Sequence, residues 1–263
     1  MKFLVQKINN KLTLDFCHEI MVSQIYADWR GDHYTIKYVN ETIPRDLKHP
    51  EQYIPIGTVE FVSDYVTTYF PEKVNCLKPI NVPYCLRGYA GRYVWDIHNV
   101  DDIPETIENW EELYRKSFTT IKDPTNGFIK YDSNKKEELL EYQVSTKLND
   151  IRSEWRVFVY HGEVQQVCYY DGDPLVFPES RPIKRMVEEY EWNGAPVAYT
   201  LDVAVTDYGV YVMEVHRFFS CGLYGFSDYR VLPYMFSQSW HEMLNWNTNS
   251  SDLNYERVQR LLA

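Results

Sequence analysis

The 263-residue chain has 38 Asp and Glu against 27 Lys and Arg, a formal net charge of −11. That balance argues against an extended nucleic-acid surface, which needs clustered basic side chains, and leaves room only for a small local site. An apolar fraction of 44% with 25% charged residues excludes a disordered chain, and the absence of any run of about 18 apolar residues argues against a membrane span.

Residues 1–88 read as a small α/β unit. Phe3-Leu4-Val5 predicts a short strand, Leu12 to Val22 a helix, and the alternation Tyr34-Thr35-Ile36-Lys37-Tyr38-Val39 a second strand. Ile54-Pro55-Ile56-Gly57 followed by Thr58-Val59-Glu60-Phe61-Val62 predicts a strand end, a glycine turn and a helix capped by Thr58. Pro79, Pro83 and the residues at 88–91 mark a crossover.

Beyond it, Glu105 to Lys116 has Ile107, Trp110 and Leu113 at helical spacing after Pro104, which predicts a helix. Ser117 to Lys122 predicts a strand, Asp123-Pro124-Thr125-Asn126-Gly127 a loop, Asn134 to Leu140 a short helix and Tyr142 to Ser145 a strand. A hairpin joins Glu154–Tyr160 to Glu163–Tyr170 through His161-Gly162. It puts Trp155, Val157 and Val159 on one face and Glu154, Arg156 and Phe158 on the other, an alternation that fits either a solvated face or the floor of a polar cleft. Tyr229 to Asn245 and Leu253 to Leu262 close the chain as helical segments.

A second hairpin places chemistry. Leu201–Thr206 and Val210–His216 flank Asp207-Tyr208-Gly209. A three-residue loop ending in glycine puts Thr206 opposite Val210 and therefore Asp202 opposite Glu214, with His216 farther along the same face. Like charges facing each other are destabilising. A divalent cation is the simplest compensation, because carboxylate oxygens suit Mg²⁺. The bland reading is an exposed hairpin with both carboxylates in water. The five cysteines form no CxxC pair and the seven histidines no HxxxH or HExxH spacing, so a zinc site has little support, and free thiols in a reducing compartment are expected. The first residues turn polar too early for a secretory signal. Both point to the cytoplasm, of a host cell if the chain is phage-encoded.

These segments resemble the ATP-grasp superfamily, and most closely its clade named for two arginines and one lysine, common in bacteriophages and bacteria. The pieces that carry the likeness are Pro55 to Val62, Gly91-Arg92, Ile121-Lys122 with the loop to Gly127-Phe128, Gln143-Val144-Ser145, Ser153 to Val159, Tyr199 to Asp202, Glu214-Val215-His216 and Ser220 to Gly225. The resemblance implies an α+β (α/β) fold. A pre-grasp unit over 1–88 would precede a nucleotide-binding and catalytic region over 89–263, whose two α+β subdomains clamp ATP. It implies ligase chemistry, in which a carboxylate takes the γ-phosphoryl group to give an acyl phosphate and ADP, and an amine then displaces phosphate.

By the same resemblance, Lys122 binds the α/β-phosphates under the loop 123–127, and Gln143, Val144 and Ser145 hold adenine at the hinge through their main chain. Glu154 falls near the ribose, Arg156 and Arg92 are the clade's arginines, and Asp202, Glu214 and His216 face Mg²⁺. His216 stands where the family has Asn. An imidazole there favours Mn²⁺ over Mg²⁺ as a ligand, and a phosphate contact, proton transfer or a second-shell role are the other readings. The implied partners are small-molecule or peptide carboxylate and amine substrates; the number of subunits is left open.

The N-terminal unit and Arg181 to Trp192 are expected to shape the acceptor pocket; Arg181, Lys184 and Arg185 fit either a site for an anionic substrate or, more commonly for such a cluster, a solvated helix face. Two other functions fit the sequence less well. A nucleotidyltransferase or polynucleotide ligase needs Lys-x-Asp-Gly, and here Asn126-Gly127 falls two residues too late after Lys122. A degenerate, non-catalytic grasp protein would not need Lys122, Arg156, Asp202 and Glu214 together.

Overall fold

The computed structural model describes residues 2–30, 34–110 and 112–245; the helix expected over 253–262 lies outside them. The N-terminal unit is a parallel three-stranded sheet in the order β2-β1-β3, made of β1 (Lys2–Lys7), β2 (Thr35–Asn40) and β3 (Tyr53–Ile56). Its crossover helix α1 spans Asp15–Arg30. The chain enters α1 later than the apolar periodicity from Leu12 suggests. Asn9 and Asn10 take positive φ, and Ile8 and Lys11 exchange both main-chain bonds at 2.9 and 3.0 Å, so a tight turn holds the chain short of a helix. Helix α2 (Val59–Tyr69) begins where expected, with the Phe61 N–H donating to Thr58 Oγ1 at 3.1 Å. Thr58→Ala should lower unfolding free energy by about 1 kcal/mol, read as a shifted urea midpoint; an unmoved midpoint would show that the cap contributes nothing.

The second sheet, ordered β4-β7-β5-β6, is antiparallel and comprises β4 (Val94–Ile97), β5 (Glu112–Ser117), β6 (Gly127–Lys130) and β7 (Tyr142–Thr146). The helix expected over 105–116 is absent. Glu105–Asn109 forms a short 3₁₀ turn and Glu112–Ser117 is a strand paired on both sides, to β6 and to β7. Leu113 is buried on one face while Lys116 leaves by the other, a period of two that tertiary pairing imposes over the helical spacing of Ile107, Trp110 and Leu113. The strand expected over 117–122 is therefore displaced. Residues 118–126 are turns and bends, and Lys122 has φ +56°. The helix expected over Asn134–Leu140 is likewise absent: Ser133–Leu139 is 3₁₀, with a kink at Lys135.

The third sheet, ordered β11-β10-β8-β9, contains the two hairpins: β8 (Ile151–Tyr160) with β9 (Glu163–Gly172), and β10 (Ala198–Thr206) with β11 (Gly209–Arg217). Helix α3 (Ser180–Trp192) covers one face, with Ile183, Met186, Val187 and Tyr190 packed among Trp155, Val157, Leu201 and Val203. This corrects the expectation that Arg181–Trp192 shapes the acceptor pocket. The helix lies behind the sheet, and Arg185 lines a separate shallow depression with Glu188, Glu189 and Trp192. The opposite face of the sheet carries Arg156, Phe158, Thr200 and Asp202. It shares a core with the N-terminal unit and with α4 (Leu232–Asn245), where Phe158 and Phe218 pack beside Phe3, Tyr65 and Trp240.

Candidate active site

A cleft of about 650 Å³ opens between the three sheets, a size suited to a small-molecule ligand. Its walls come from the start of α1 (Asp15, Phe16), the cap of α2 (Thr58), the end of β5 (Lys116, Ser117), the turn at Lys122, β8 (Arg156), β11 (Glu214, His216) and the loop Phe219–Tyr224. That loop ties the N-terminal unit to the third sheet. Ser220 Oγ donates to the Gly57 carbonyl at 2.7 Å, and the Leu223 N–H donates to Asp15 Oδ2 at 2.6 Å.

Asp202 and Glu214 stand opposite each other as the hairpin phasing requires, although the turn differs from the expected one. The loop is the two residues 207–208, so Thr206 pairs with Gly209 and Val203 with Val212. A β-bulge at Met213 inserts one residue and restores the Asp202–Glu214 and Thr200–His216 pairs. Bulges of this kind re-aim side chains next to functional sites. Arg92 secures the bulge. It donates to the carbonyls of Val212 at 2.8 Å and Met213 at 3.0 Å, and reaches Ser145 Oγ on β7 at 3.5 Å. Burial lowers its pKa to about 10, and Arg92 is not among the residues that line the cleft.

The opposed carboxylates are compensated by side chains of the chain itself. Arg156 forms a two-pronged pair with Asp202, Nε to Oδ1 and Nη2 to Oδ2, both at 2.7 Å, and its Nη1 donates to the Gly222 carbonyl at 3.1 Å. Burial works against its charge, but the hydrogen bonds and charge of Asp202 outweigh it and raise the guanidinium pKa above its ordinary range. Glu214 Oε2 abuts Lys116 Nζ, and Glu214 Oε1 lies 2.7 Å from His216 Nε2. Burial pushes Lys116 down to about 8, with Asp202 pulling the other way. It pushes His216 down to about 4, again against Asp202, so the imidazole is neutral near pH 7.

Asp202, Glu214 and His216 place three ligand atoms within 4.8 Å of one another. Two hard oxygen donors and one neutral imidazole fit a Mg²⁺ or Mn²⁺ ion, and each carboxylate oxygen keeps a second lone pair beyond its protein contact.

The structure brings Lys122, Arg156, Glu214 and His216 to one cleft, with Asp202 buried behind Arg156. Lys122 enters from a turn rather than from a strand end. The lysine at the end of the strand before the loop is Lys116, which the sequence reading had assigned to a helix; the alternation Leu113-Tyr114-Arg115-Lys116 is the signal that finds it. Gln143, Val144 and Ser145 occupy the middle of β7, where ladders to β4 and β5 engage their main chain on both sides. The Gln143 side chain binds the Val82 main chain and Asp96, and Val144 is core. The main chain free of both ladders is the connection 147–150 from β7 to β8. Glu154, two residues before Arg156 on β8, accepts a hydrogen bond from Tyr170 Oη.

The family model for the ATP-grasp domain, R2K clade family 3, matches residues 55–234. The chain belongs to this family. Several solved ATP-grasp structures share its fold. D-alanine–D-alanine ligase from Bacillus anthracis, complexed with ATP, aligns with a TM-score of 0.55 at 14% identity over 92% of this chain and 98% of that one. D-cycloserine synthetase DcsG aligns at 0.55 and 13% identity over 93% and 100%. The ATP-grasp ligase PsnB, complexed with minimal precursor, Mg and ADP, aligns at 0.52 and 10% identity over 90% and 97%. At such identities the likeness is one of fold. Among curated proteins none matches the chain. Within the ATP-grasp fold the second and third sheets are the jaws on either side of the cleft, and no helix among the described residues is long and apolar enough to cross a membrane.

Proposed function

We propose that this ATP-grasp protein is an ATP-dependent ligase that joins the carboxylate of one small molecule or peptide to the amine of another. The carboxylate oxygen attacks the γ-phosphorus, the bond from the γ-phosphorus to the β–γ bridging oxygen breaks, and ADP leaves. The amine lone pair then attacks the acyl carbon, the acyl C–O bond breaks, phosphate departs with that electron pair, and the amine proton passes to solvent. The observation that carries this reading is the juxtaposition, in an ATP-grasp chain, of a cleft lined by Lys116, Arg156, Glu214 and His216 with Asp202, buried behind Arg156 and within ligand distance of Glu214 and His216.

Phosphoryl transfer depends on positioning and on charge neutralisation, and the chain's residues divide that work. Lys116, fixed against Glu214 and partly desolvated, supplies a preorganised positive charge for the phosphates, with Lys122, from the turn that follows β5, as a second cation in the cleft. Arg156 presents a guanidinium whose orientation Asp202 fixes. Asp202 and Glu214, with His216 as the third group, would hold Mg²⁺, or Mn²⁺ as the imidazole favours; the ion neutralises phosphate charge when bound. The connection 147–150 offers main-chain groups to adenine, and Glu154 falls near the ribose. The N-terminal unit, through Asp15, Phe16 and Thr58, faces the acceptor. Use of ATP and five free thiols favour a cytoplasmic setting.

Incubation with ATP, Mg²⁺ and pooled amino acids or cell extract tests the reaction class. The expected result is ADP together with a product whose mass is the sum of acid and amine less water. Release of AMP instead would transfer the protein to the adenylylating enzymes, and tight ATP binding without turnover across the panel would make it a non-catalytic binder.

A further inference from the structure

The jaws are stitched together at one dipeptide that the ligase reading does not use. Asn81 is buried, with 2% exposure, and takes φ +58°, a left-handed conformation that Asn tolerates better than most residues. Its carbonyl accepts from the Val215 N–H at 2.8 Å, forming an isolated antiparallel bridge on the edge of β11. Its side-chain Nδ2 donates to the Ser117 carbonyl at 3.0 Å, at the end of β5. The next residue is anchored as firmly. The Val82 N–H donates to Gln143 Oε1 at 2.9 Å and Gln143 Nε2 donates back to the Val82 carbonyl at 3.0 Å. The Gln143 amide thus pairs with both main-chain groups of one residue as a neighbouring strand would.

The two points that Asn81 grips are not arbitrary. Ser117 and Val215 each lie one residue beyond a member of the Lys116–Glu214 pair, and β5 and β11 belong to different sheets. Side chains alternate along a strand, so a grip on the main chain at 117 and 215 sets how Lys116, Glu214 and His216 meet across the gap. An error of about 1 Å in such a constellation is enough to cost activity heavily.

We propose that Asn81 is a positioning residue that keeps Lys116 in step with Glu214 and His216, and so sets the phosphate-binding geometry of the cleft. This rests on the reading that Lys116 binds the phosphates of ATP. Two variants remove the side-chain half of the grip, the bond to the Ser117 carbonyl, and leave the main-chain bond from the Val215 N–H in place. Asn81→Gly retains the left-handed φ, and Asn81→Asp keeps shape and size but cannot donate to the Ser117 carbonyl. Affinity for ATP with Mg²⁺ and for adenosine is measured by titration calorimetry in the parent and in a Lys116→Met background, with thermal melts confirming that each protein is folded.

Both Asn81 variants should weaken ATP binding by about tenfold in the parent, leave adenosine affinity unchanged, and lose most of their effect once Lys116 is methionine, the non-additivity expected of coupled residues. Equal losses in both backgrounds, equal losses for ATP and adenosine, or no loss at all would overturn the proposal. Lys116→Met protein that binds ATP as tightly as the parent would remove the underlying reading of Lys116, and the proposal with it.

Discussion

ADP release should fall by about 10²–10³-fold when Lys116 is replaced by methionine, the range seen when one preorganised electrostatic group is removed from a transition state, and far less when Lys122 is replaced. The two lysines share a cleft but not an environment. Lys116 is half-buried near the end of a strand paired on both sides, touches Glu214, and has its pKa lowered to about 8 by burial, with Asp202 opposing that shift. Its charge therefore acts through low-dielectric surroundings, where a fixed ammonium interacts with a phosphate much more strongly than in water. Methionine keeps the length and apolar stem of the side chain and removes only the charge. Lys122 projects from a turn at φ +56°, outside the strand pairing that holds Lys116. Initial rates of ADP release, normalised to the folded fraction from a thermal melt, decide between them. Equal losses at both positions, or undiminished turnover in Lys116→Met, would place the phosphates elsewhere.

The secondary structure around these lysines departs from the sequence expectation for a physical reason. Residues 105–122 satisfy a helical spacing at Ile107, Trp110 and Leu113 as well as a strand alternation from Glu112 to Ser117, and short apolar patterns do not separate the two. What decides is the pairing of β5 with both β6 and β7, which no local pattern contains. Features under local control were legible. Thr58 caps α2, and both hairpins form around their glycine-containing turns. The Asp202–Glu214 pair was reached from a wrong turn length, because the bulge at Met213 supplies the residue that the shorter loop removes. Hairpins expose their partners to sequence reasoning; crossovers do not. β8 and β10 are neighbours in the sheet with α3 between them in the chain, so the facing of Arg156 and Asp202 had no sequence signature. The opposed carboxylates predict a divalent cation from sequence, and half of their compensation in the structure is Arg156.

That pair gives the second large effect. Arg156→Met should cost about 3–5 kcal/mol of stability, the usual penalty for leaving one member of a buried ion pair without its partner. Asp202 is 1% exposed and its two oxygens each accept from Arg156 at 2.7 Å, so the variant strands a carboxylate where water cannot solvate it. Asp202→Leu strands the guanidinium instead and should cost a comparable amount. Joining the two substitutions removes both charges from a position flanked by Phe158 and the buried strand β10, and buried ion pairs replaced by apolar groups of similar volume are often neutral or gain stability. The double variant should therefore recover most of the lost stability in a guanidinium chloride titration while remaining without ADP release. Recovery of stability without recovery of turnover would mean that the pair is retained for chemistry at a standing cost to the fold. A double variant no more stable than either single one would show that the pair holds β8 to β10 in its own right, and single variants that lose less than about 1 kcal/mol would show that water reaches the pair.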